Sequence, residues 1–555
     1  MYTVRAVRGF FKGVNPRTTL ITGILMVTML LLGTLWSAGT AAAIGTFRNT
    51  FNPFLEWYYV LLVAFMLLFM IWLGVGRYKN VRLGDDREVP EFRFFSWITM
   101  LFAAGTGVGI LFWAVAQPIM QFQDNPFIEE TGTARAATVA MQLSFFHWGL
   151  HAWSIFSFVA LVLAYFAFRK RQPLTVSSAL HPMIGKHAYG ATGELVDILA
   201  VVATIFGIAT TLGLGVQQMN SGLGEVFGLD ASVRLQLFIV AVLMVISTIT
   251  LVSGVERGMR LISEANFWLS LAVAAAVLAF GPTQYLIAAT LEAFGEYLQN
   301  LLSMAFYTHA NHEGDWQAEW TVFFWGWTMA WSPFVGMFIA RISRGRTLRE
   351  FVLGVLVVPT LISTVWIGLL GGSALYQELF GSGGVVEAVN EDVTLALFAT
   401  LEGLELGVLG LVLSGVMTLL IGTYLITSAN AGTLVVTTIL AGGDADPPKR
   451  HRILWGVVLT LLTGVLLLAG GLELLQSAVV MAALPFSVVL MLMLFGTLRA
   501  LHEERFAEGP GVRSEPPHDP WTLDEDTGKR ALAYDVERGR QASEEPNPRK
   551  RTGES

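Results

Sequence analysis

The sequence predicts an all-α integral membrane protein with twelve transmembrane helices. Hydrophobic residues make up 54% of the 555-residue chain and charged residues only 14%, whereas soluble proteins carry roughly 25% charged residues. About 20 apolar residues are enough to span a bilayer. Twelve stretches of about this length or more lack Asp, Glu, Lys and Arg, at 18–38, 57–76, 94–117, 136–168, 198–224, 235–253, 265–283, 320–340, 351–373, 407–440, 453–472 and 474–498.

The distribution of positive charge orients these spans. All but three of the 35 Lys and Arg residues lie near the termini or in alternate loops on one side, the exceptions being Arg48, Arg135 and Arg234. Loops that face the cytoplasm carry an excess of Lys and Arg. We therefore expect a multi-pass protein of the plasma membrane, the inner membrane in bacteria, with both termini in the cytoplasm and residues 1–17 as a cytoplasmic N-terminus.

Two segments outside the spans differ in composition from the rest. Residues 285–319 contain no Lys or Arg, and their first part mixes Leu and Ala with acidic residues, which predicts an extracellular surface helix over 285–303 followed by a loop. Residues 501–555 are rich in Pro, Glu, Asp, Arg and Gly, a composition that cannot bury a core and predicts a disordered cytoplasmic tail. The chain has no cysteine, which excludes disulfides and thiolate metal sites.

A run of glycines interrupts the third span. Gly105, Thr106, Gly107 and Gly109 lie in its middle, and each glycine inside a helix costs about 1 kcal/mol relative to alanine. Such a run predicts an unwound segment, which a membrane tolerates where the backbone lines a cavity. The alternative is a face of small residues that packs closely against another helix.

Three tryptophans, Trp325, Trp327 and Trp331, lie within seven residues in the interior of the eighth span. Trp327 and Trp331 are four residues apart, so a helix presents them on one face. Tryptophans that anchor a span normally lie at its ends. Several indole faces directed at one point attract an organic cation, which predicts binding of an onium solute. Simple packing is the alternative, for Trp325 above all.

The twelve apolar stretches contain two histidines, His147 and His151, one helical turn apart. We expect hydrogen-bonded interior histidines. A proton relay is an alternative, and so is a metal site, although no third ligand is evident. A channel would need a continuous polar pore lining, and an enzyme would need a nucleophile, a metal cluster or paired acids, so neither class is expected.

Several segments resemble the family of betaine/choline/carnitine transporters. The match is most specific in 320–349, from Trp320 through Trp331-Ser332-Pro333 to Arg341-Ile-Ser-Arg344-Gly-Arg346, and it includes the glycine run and the stretch 147–153. The resemblance covers about residues 10–500. It implies secondary active transport by a homotrimer. It also implies two leading helices in 18–91 and a five-plus-five inverted repeat, related to sodium/amino-acid symporters, in 92–284 and 320–500, with solute bound between broken helices near the bilayer midplane.

The resemblance also implies a set of solute-binding residues. They are Trp148, Trp153, Phe156, Trp325, Trp327, Thr328 and Trp331, together with Gly105, Thr106 and Gly107 of the third span. Phe156 replaces a tyrosine of the betaine carriers, and Thr328 replaces a tryptophan. Loss of an indole face removes about 0.5–2 kcal/mol of cation–π attraction. An onium or zwitterionic compatible solute, betaine-, choline- or sulfoniopropionate-like, is therefore expected rather than glycine betaine in particular.

Sodium is the coupling ion that the resemblance implies. Ala103 and Thr106 would supply backbone carbonyls and Thr427 and Ser428 hydroxyls, since sodium takes hard oxygen ligands. A second site would use Thr204 and Phe334, although Ile208 stands where the betaine carriers have threonine. The stretch between Lys186 and Arg234 contains no Lys or Arg, which argues against sodium-independent exchange.

We therefore expect sodium symport of a small organic solute in contact with membrane lipid, with no other cofactor and no nucleic-acid partner. Proton coupling, exchange and a solute sensor that does not transport remain as alternatives.

Overall fold

The computed structural model describes residues 5–105, 107–253, 256–311, 314–507, 521–524 and 529–532. Within these residues, ten helices are long and apolar enough to cross a membrane. They are Pro16–Leu35, Phe54–Val75, Ala134–Arg169, Ala191–Phe227, Val233–Leu251, Leu261–Phe280, Ala318–Ile342, Leu348–Phe380, Val408–Leu440 and Lys449–Glu503. The expectation of a helical, multi-pass membrane protein is confirmed, while the count of twelve spans and the inverted repeat stay predictions.

Nineteen α-helices follow one another along the described residues. The N-terminal half contains α1 (Pro16–Leu35), α2 (Ser37–Val75), α3 (Phe94–Gly105), α4 (Val108–Gln123), α5 (Ala134–Trp148), α6 (Leu150–Ala164), α7 (His181–Ile184), α8 (Ala191–Phe227), α9 (Val233–Ser253) and α10 (Glu256–Phe280). The C-terminal half contains α11 (Thr283–Gln299), α12 (Leu301–Ala305), α13 (Phe323–Ile342), α14 (Leu348–Val352), α15 (Val358–Phe380), α16 (Val385–Glu391), α17 (Ala396–Glu402), α18 (Val408–Leu440) and α19 (Lys449–Ala507).

Single turns of other helix types join some of these elements. π-Helical turns lie at Tyr165–Arg169, Ala318–Val322 and Leu353–Val357, and 3₁₀ turns at Ser177–Leu180, Gly185–Tyr189 and Val393–Leu395. The turn Ala318–Val322 continues directly into α13. As a result, the tryptophan-rich helix is preceded by a widened turn, a feature that often marks functional sites.

Local sequence explains where several helices begin and end. The side chain of Asn15 accepts hydrogen bonds from the backbone N–H groups of Arg17 and Thr18, and Pro16 occupies the first turn of α1, where its missing N–H is not needed. α14 begins with a capping box, in which the side chains of Thr347 and Glu350 each accept a hydrogen bond from the backbone N–H of the other residue. Two backbone donors at the helix start are satisfied in this way.

Backbone breaks occur in the third predicted span and in the long helix α19. α3 ends at Gly105 and α4 begins at Val108, while Gly107 has extended backbone with φ −166° and ψ 178°. The predicted unwound segment in the third span is confirmed. α19 covers two predicted spans and breaks at Gly471, whose φ of 57° and ψ of −135° are not helical.

A further break at Gly149 separates α5 from α6 within the predicted span 136–168. The backbone N–H of Leu150, at the start of α6, donates to the hydroxyl of Tyr297 on α11, 3.1 Å away. Because this N–H has no partner within its own helix, the Tyr297 contact satisfies a donor that the break leaves free. α11, within the segment that was predicted as a surface helix, thus holds the α5–α6 junction through a buried side chain.

The centre of the protein is formed by α8 and α13. α13 packs against α6, α8 and α19, and α8 packs against α18 and α19. Large side chains such as Phe158, Phe206, Phe324 and Trp325 are fully buried between these helices. A helix buried on all sides is apolar all round, which explains why these segments show no polar stripe.

Two loops that flank α3 and α13 lie side by side at one end of the bundle. Leu83 N–H donates to the carbonyl of Arg346 at 2.8 Å, and the Trp97 indole N–H donates to Ser343 Oγ at 3.1 Å. The Arg346 guanidinium donates to the carbonyl of Phe92 at 2.7 Å and lies 4.6 Å from the Trp97 ring centroid. The arginine cluster after the eighth span therefore ties the end of α13 to the start of α3.

The described part of the C-terminal segment contains the end of α19 and two short strands. α19 continues to Ala507, beyond the predicted boundary at 501. Two four-residue strands, β1 (Trp521–Asp524) and β2 (Lys529–Leu532), pair antiparallel with Trp521 opposite Leu532. The rest of this segment lies outside the described residues, and its disorder stays a prediction.

Candidate solute-binding site

A cavity of about 300 Å³ lies where α13 faces α4, α5, α6, α10 and α18. Aromatic side chains of α5, α6 and α13 line much of it, namely Trp148, Trp153, Phe156, Phe324, Trp327, Trp331, Phe334 and Phe338. Hydroxyl and amide groups of α10, α13 and α18 line it as well. Among the described residues, its lining contains no Asp, Glu, Lys or Arg. The cavity is therefore aromatic and polar but carries no fixed charge.

The interrupted third span forms part of the cavity wall and packs against two of the tryptophans. Gly107 and Gly109 both line the cavity. A Cβ atom at Gly109 would lie 2.7 Å from Cη2 of Trp327 and 3.1 Å from Cη2 of Trp148, closer than carbon atoms can approach without displacement. Glycine at this position is required by the close approach of the two indoles, whose rings meet edge to face at 5.9 Å.

Protein acceptors hold the indole N–H groups of three cavity tryptophans. Trp148 donates to Gln117 Oε1 at 3.1 Å, and Trp327 donates to Thr211 Oγ1 at 3.2 Å. Trp331 donates to the carbonyl of Gly207 at 2.8 Å. Since indole has a single N–H donor, these rings offer a bound molecule their faces, which attract cations.

A chain of hydrogen bonds extends from Trp148 to the π-helical turn that precedes α13. The Gln117 amide accepts from Trp148 through Oε1, so its Nε2 faces His147 Nδ1, 2.7 Å away, and donates to it. His147 then carries its proton on Nε2 and donates to Thr321 Oγ1 at 3.2 Å. His147 thus acts as a neutral, hydrogen-bonded residue that positions the Trp148 side chain through Gln117.

His151 differs from the prediction of a hydrogen-bonded histidine. Its side chain is 1% exposed, and neither ring nitrogen has a hydrogen-bond partner among the described residues. The imidazole stacks on Trp325 with ring centroids 5.8 Å apart and packs on Phe146 at 4.6 Å. Packing of aromatic rings, rather than hydrogen bonding, surrounds this histidine.

A family model for BCCT, the betaine/carnitine/choline family of transporters, matches residues 17–506. The chain belongs to this family. It is accordingly a multi-pass membrane transporter and not an enzyme.

Individual relatives cover most of the chain. A glycine betaine transporter of Acinetobacter baylyi is 39% identical over 88% of this chain and 74% of its own length. An ectoine/hydroxyectoine transporter of Virgibacillus pantothenticus is 41% identical over 81% of this chain and 90% of its own length. A glycine betaine transporter of Bacillus subtilis is 38% identical over 81% of this chain and 87% of its own length.

The structure of this BCCT protein brings most of the predicted solute-binding residues to the cavity. The residues on its wall are Gly107, Trp148, Trp153, Phe156, Trp327, Thr328 and Trp331. Trp325 does not line the cavity, and its indole packs edge to face on Phe146 at 5.2 Å. Gly105 ends α3, and Thr106 lies outside the described residues. Solute binding by this set stays a prediction.

The residues predicted to bind sodium are only partly brought together. Thr427 and Ser428 of α18 line the cavity, and the Thr427 hydroxyl donates to the carbonyl of Tyr424 at 3.0 Å, which leaves its oxygen lone pairs available to a cation. Ala103 lies in α3. For the second site, Phe334 lines the cavity, whereas the buried Thr204 donates to the carbonyl of Ala200 at 2.7 Å and does not line it.

Sequence reasoning missed residues that the fold brings to the site from other helices. Gln117 and Thr211 hold the indoles, and Asn266 of α10 lines the cavity. A signal was present for two of them, because Gln117 and Asn266 are single amides in otherwise apolar stretches, and a polar group inside a span normally has a function or a partner. Thr211 is one of several threonines in the fifth span and carries no comparable signal.

The hydrogen bond between Thr211 and Trp327 leads to a prediction of moderate size. Thr211→Val keeps the side-chain shape but removes the acceptor, so the Trp327 ring loses its fixed orientation, and we expect solute affinity to fall about twofold to tenfold. Thr211→Ser retains the hydroxyl and should bind like the wild type. Isothermal titration calorimetry with the purified protein provides the measurement, and equal affinities of the two variants would contradict this role.

Proposed function

We propose that this BCCT protein imports a zwitterionic onium solute by sodium symport. The observation that carries the proposal is a cavity without fixed charge, in which the N–H groups of Trp148, Trp327 and Trp331 are occupied by protein acceptors. The indole faces of these residues suit a quaternary ammonium or sulfonium group, whose positive charge is spread over methyl groups.

The lack of charged groups in the cavity wall favours a solute that is neutral as a whole. A solute with a net positive charge would enter a low-dielectric cavity without a counter-ion, which is costly. A zwitterion brings its own negative group, and a sodium ion at Thr427 and Ser428 would lie on the same cavity wall to neutralise it. The names of the relatives agree with this class, since they include glycine betaine and ectoine transporters.

The proposed transport cycle uses the interrupted helices. The break at Gly107 and the proline inside α13, Pro333, are the places where the helices facing the solute can bend between outward- and inward-open states. On this proposal the protein has twelve spans with a five-plus-five inverted repeat. It lies in the bacterial inner membrane as a homotrimer with both termini in the cytoplasm, as its family resemblance and loop charges suggest.

A panel of solutes tests the proposal in two steps. Purified protein is titrated with glycine betaine, choline, carnitine, dimethylsulfoniopropionate and ectoine, with sodium and with sodium replaced by potassium, and tryptophan fluorescence is recorded. Proteoliposomes then report uptake of the bound solutes down an inward sodium gradient. We expect at least one zwitterion to bind and accumulate only with sodium.

Each failure has a distinct meaning. Uptake that is unchanged in potassium would overturn sodium symport and support proton coupling or exchange. Binding without uptake would indicate a sensor. A complete absence of binding across the panel would overturn the assignment of the aromatic cavity to onium solutes.

A further inference from the structure

The cavity is long in the direction of α13. Phe324 and Phe338 both line it, and a separation of fourteen residues in an α-helix corresponds to about 21 Å. In addition to the aromatic residues of α5, α6 and α13, its wall includes α10, which contributes Ser263 and Asn266. A small onium group against the tryptophans therefore leaves space for further groups of the same solute.

Asn266 is a polar residue of this wall that the protein leaves unsatisfied. Its side chain is 3% exposed, and its Oδ1 atom has no hydrogen-bond partner among the described residues. An amide oxygen buried without a donor is unfavourable, because it has lost its bonds to water and gained none.

Neighbouring polar groups, in contrast, are paired. On α18, which also lines the cavity, Asn430 accepts from Ser247 Oγ at 2.6 Å through its Oδ1 and donates to Thr250 Oγ1 at 2.8 Å through its Nδ2. Ser270 of α10 lies 3.0 Å from the hydroxyl of Tyr424. The Oδ1 atom of Asn266 thus differs from these nearby polar groups of α10 and α18, each of which has a hydrogen-bond partner.

We propose that Asn266 accepts a hydrogen bond from the transported solute, which therefore carries a hydroxyl or N–H group in addition to its onium centre. This inference rests on the proposed function. Fully methylated betaines without a hydroxyl have no hydrogen-bond donor and leave the Asn266 oxygen unpaired. A binding site with a buried acceptor of this kind disfavours solutes that have no hydrogen-bond donor to pair with it.

Matched solute pairs isolate this contact. Carnitine and γ-butyrobetaine differ by one hydroxyl group, and N,N-dimethylglycine and glycine betaine differ by one N–H that is replaced by N–CH₃. Equilibrium dissociation constants are measured for the four compounds with the purified full-length protein in sodium buffer. We expect the wild type to bind the donor-bearing member of at least one pair about threefold to tenfold more tightly.

Two variants assign the preference to its residue. In Asn266→Ala, and in the closer isostere Asn266→Leu, the ratio within that pair should fall to about one, while the affinity for the member without a donor is retained. Asn220→Ala is the matched control, because the Oδ1 of Asn220 on α8 is also buried without a partner, but Asn220 does not line the cavity. This variant should keep the wild-type ratio.

The outcomes separate this inference from the function on which it rests. Equal affinities within both pairs in the wild type would overturn the inference and leave onium transport intact. The inference would also be overturned if both Asn266 variants still bound the donor-bearing solute more tightly, because another group would then provide the preference. If the wild type bound none of the four compounds, the inference would fail, whereas the proposed function would fail only if choline, dimethylsulfoniopropionate and ectoine were not bound either.

Discussion

Gly109→Val is expected to weaken solute binding by about 10- to 100-fold, since inserting carbon atoms into a packed site costs about 1–3 kcal/mol. The first added atom would lie 2.7 Å from the Trp327 ring and 3.1 Å from the Trp148 ring. Both rings are held by their N–H groups, to Thr211 and Gln117, so they cannot turn aside without breaking a hydrogen bond. The added methyl groups therefore displace the faces that bind the cation. Calorimetric titration of glycine betaine, carnitine and ectoine measures the loss.

A glycine elsewhere distinguishes this effect from a general loss of folding. Gly23→Ala on α1 adds a Cβ atom that meets nothing within 4 Å. It should leave affinity unchanged and keep or slightly raise thermal stability, because alanine is favoured over glycine in a helix. Gly109→Ala should fall between the wild type and the valine variant, because its single methyl group contacts the same two rings. Wild-type affinity in Gly109→Val would show that Trp148 and Trp327 do not contact the solute.

Trp331→Ala is expected to lower solute affinity about 30-fold or more, because a desolvated cation–π contact is worth about 2 kcal/mol. The Trp331 indole lines the cavity, donates to the carbonyl of Gly207 at 2.8 Å and packs edge to face on Phe334 at 5.2 Å. These contacts hold the ring face in place before the solute arrives, and such pre-organisation favours binding. Equilibrium binding by calorimetry is the suitable measurement, since it does not depend on tryptophan emission.

A graded series makes the interpretation specific. Trp331→Phe keeps an aromatic face but loses the bond to Gly207, so its affinity should lie between those of the wild type and Trp331→Ala. Trp268→Ala on α10 is the control, because Trp268 is 64% exposed on the outer surface of the helix bundle and does not line the cavity. If Trp331→Ala changed affinity less than Trp268→Ala, the aromatic cavity would not be the onium site.

The interruption of the third span illustrates what a sequence can predict. Glycines are unfavourable in a helix interior, and unsatisfied backbone groups are costly in lipid, so a run of them in the middle of a span requires a cavity or a closely packed neighbour. The sequence left both alternatives open. The structure shows both at once, since Gly107 is extended and Gly109 packs directly beneath two indoles.

The eighth span shows where sequence reasoning was insufficient. Helical periodicity correctly placed Trp327 and Trp331 on a common face, and both line the cavity. The same periodicity cannot say what lies opposite Trp325. That ring faces His151 and Phe146 of the α5–α6 region, a contact that depends on how α13 is rotated against α6.

The amino-acid sequence alone determined the membrane-spanning helical class, the special role of the glycine run, the family and the tryptophans of the cavity. These follow from composition, local helix energetics and a specific motif, all of which act over short distances along the chain. Only the tertiary structure decided which acceptors hold the indoles and that Asn266 of α10 faces the solute cavity without a partner. The hydrogen bonds of the indoles join residues far apart in sequence. They form because a buried polar group that has lost its bonds to water needs a partner, which the packing of other helices supplies.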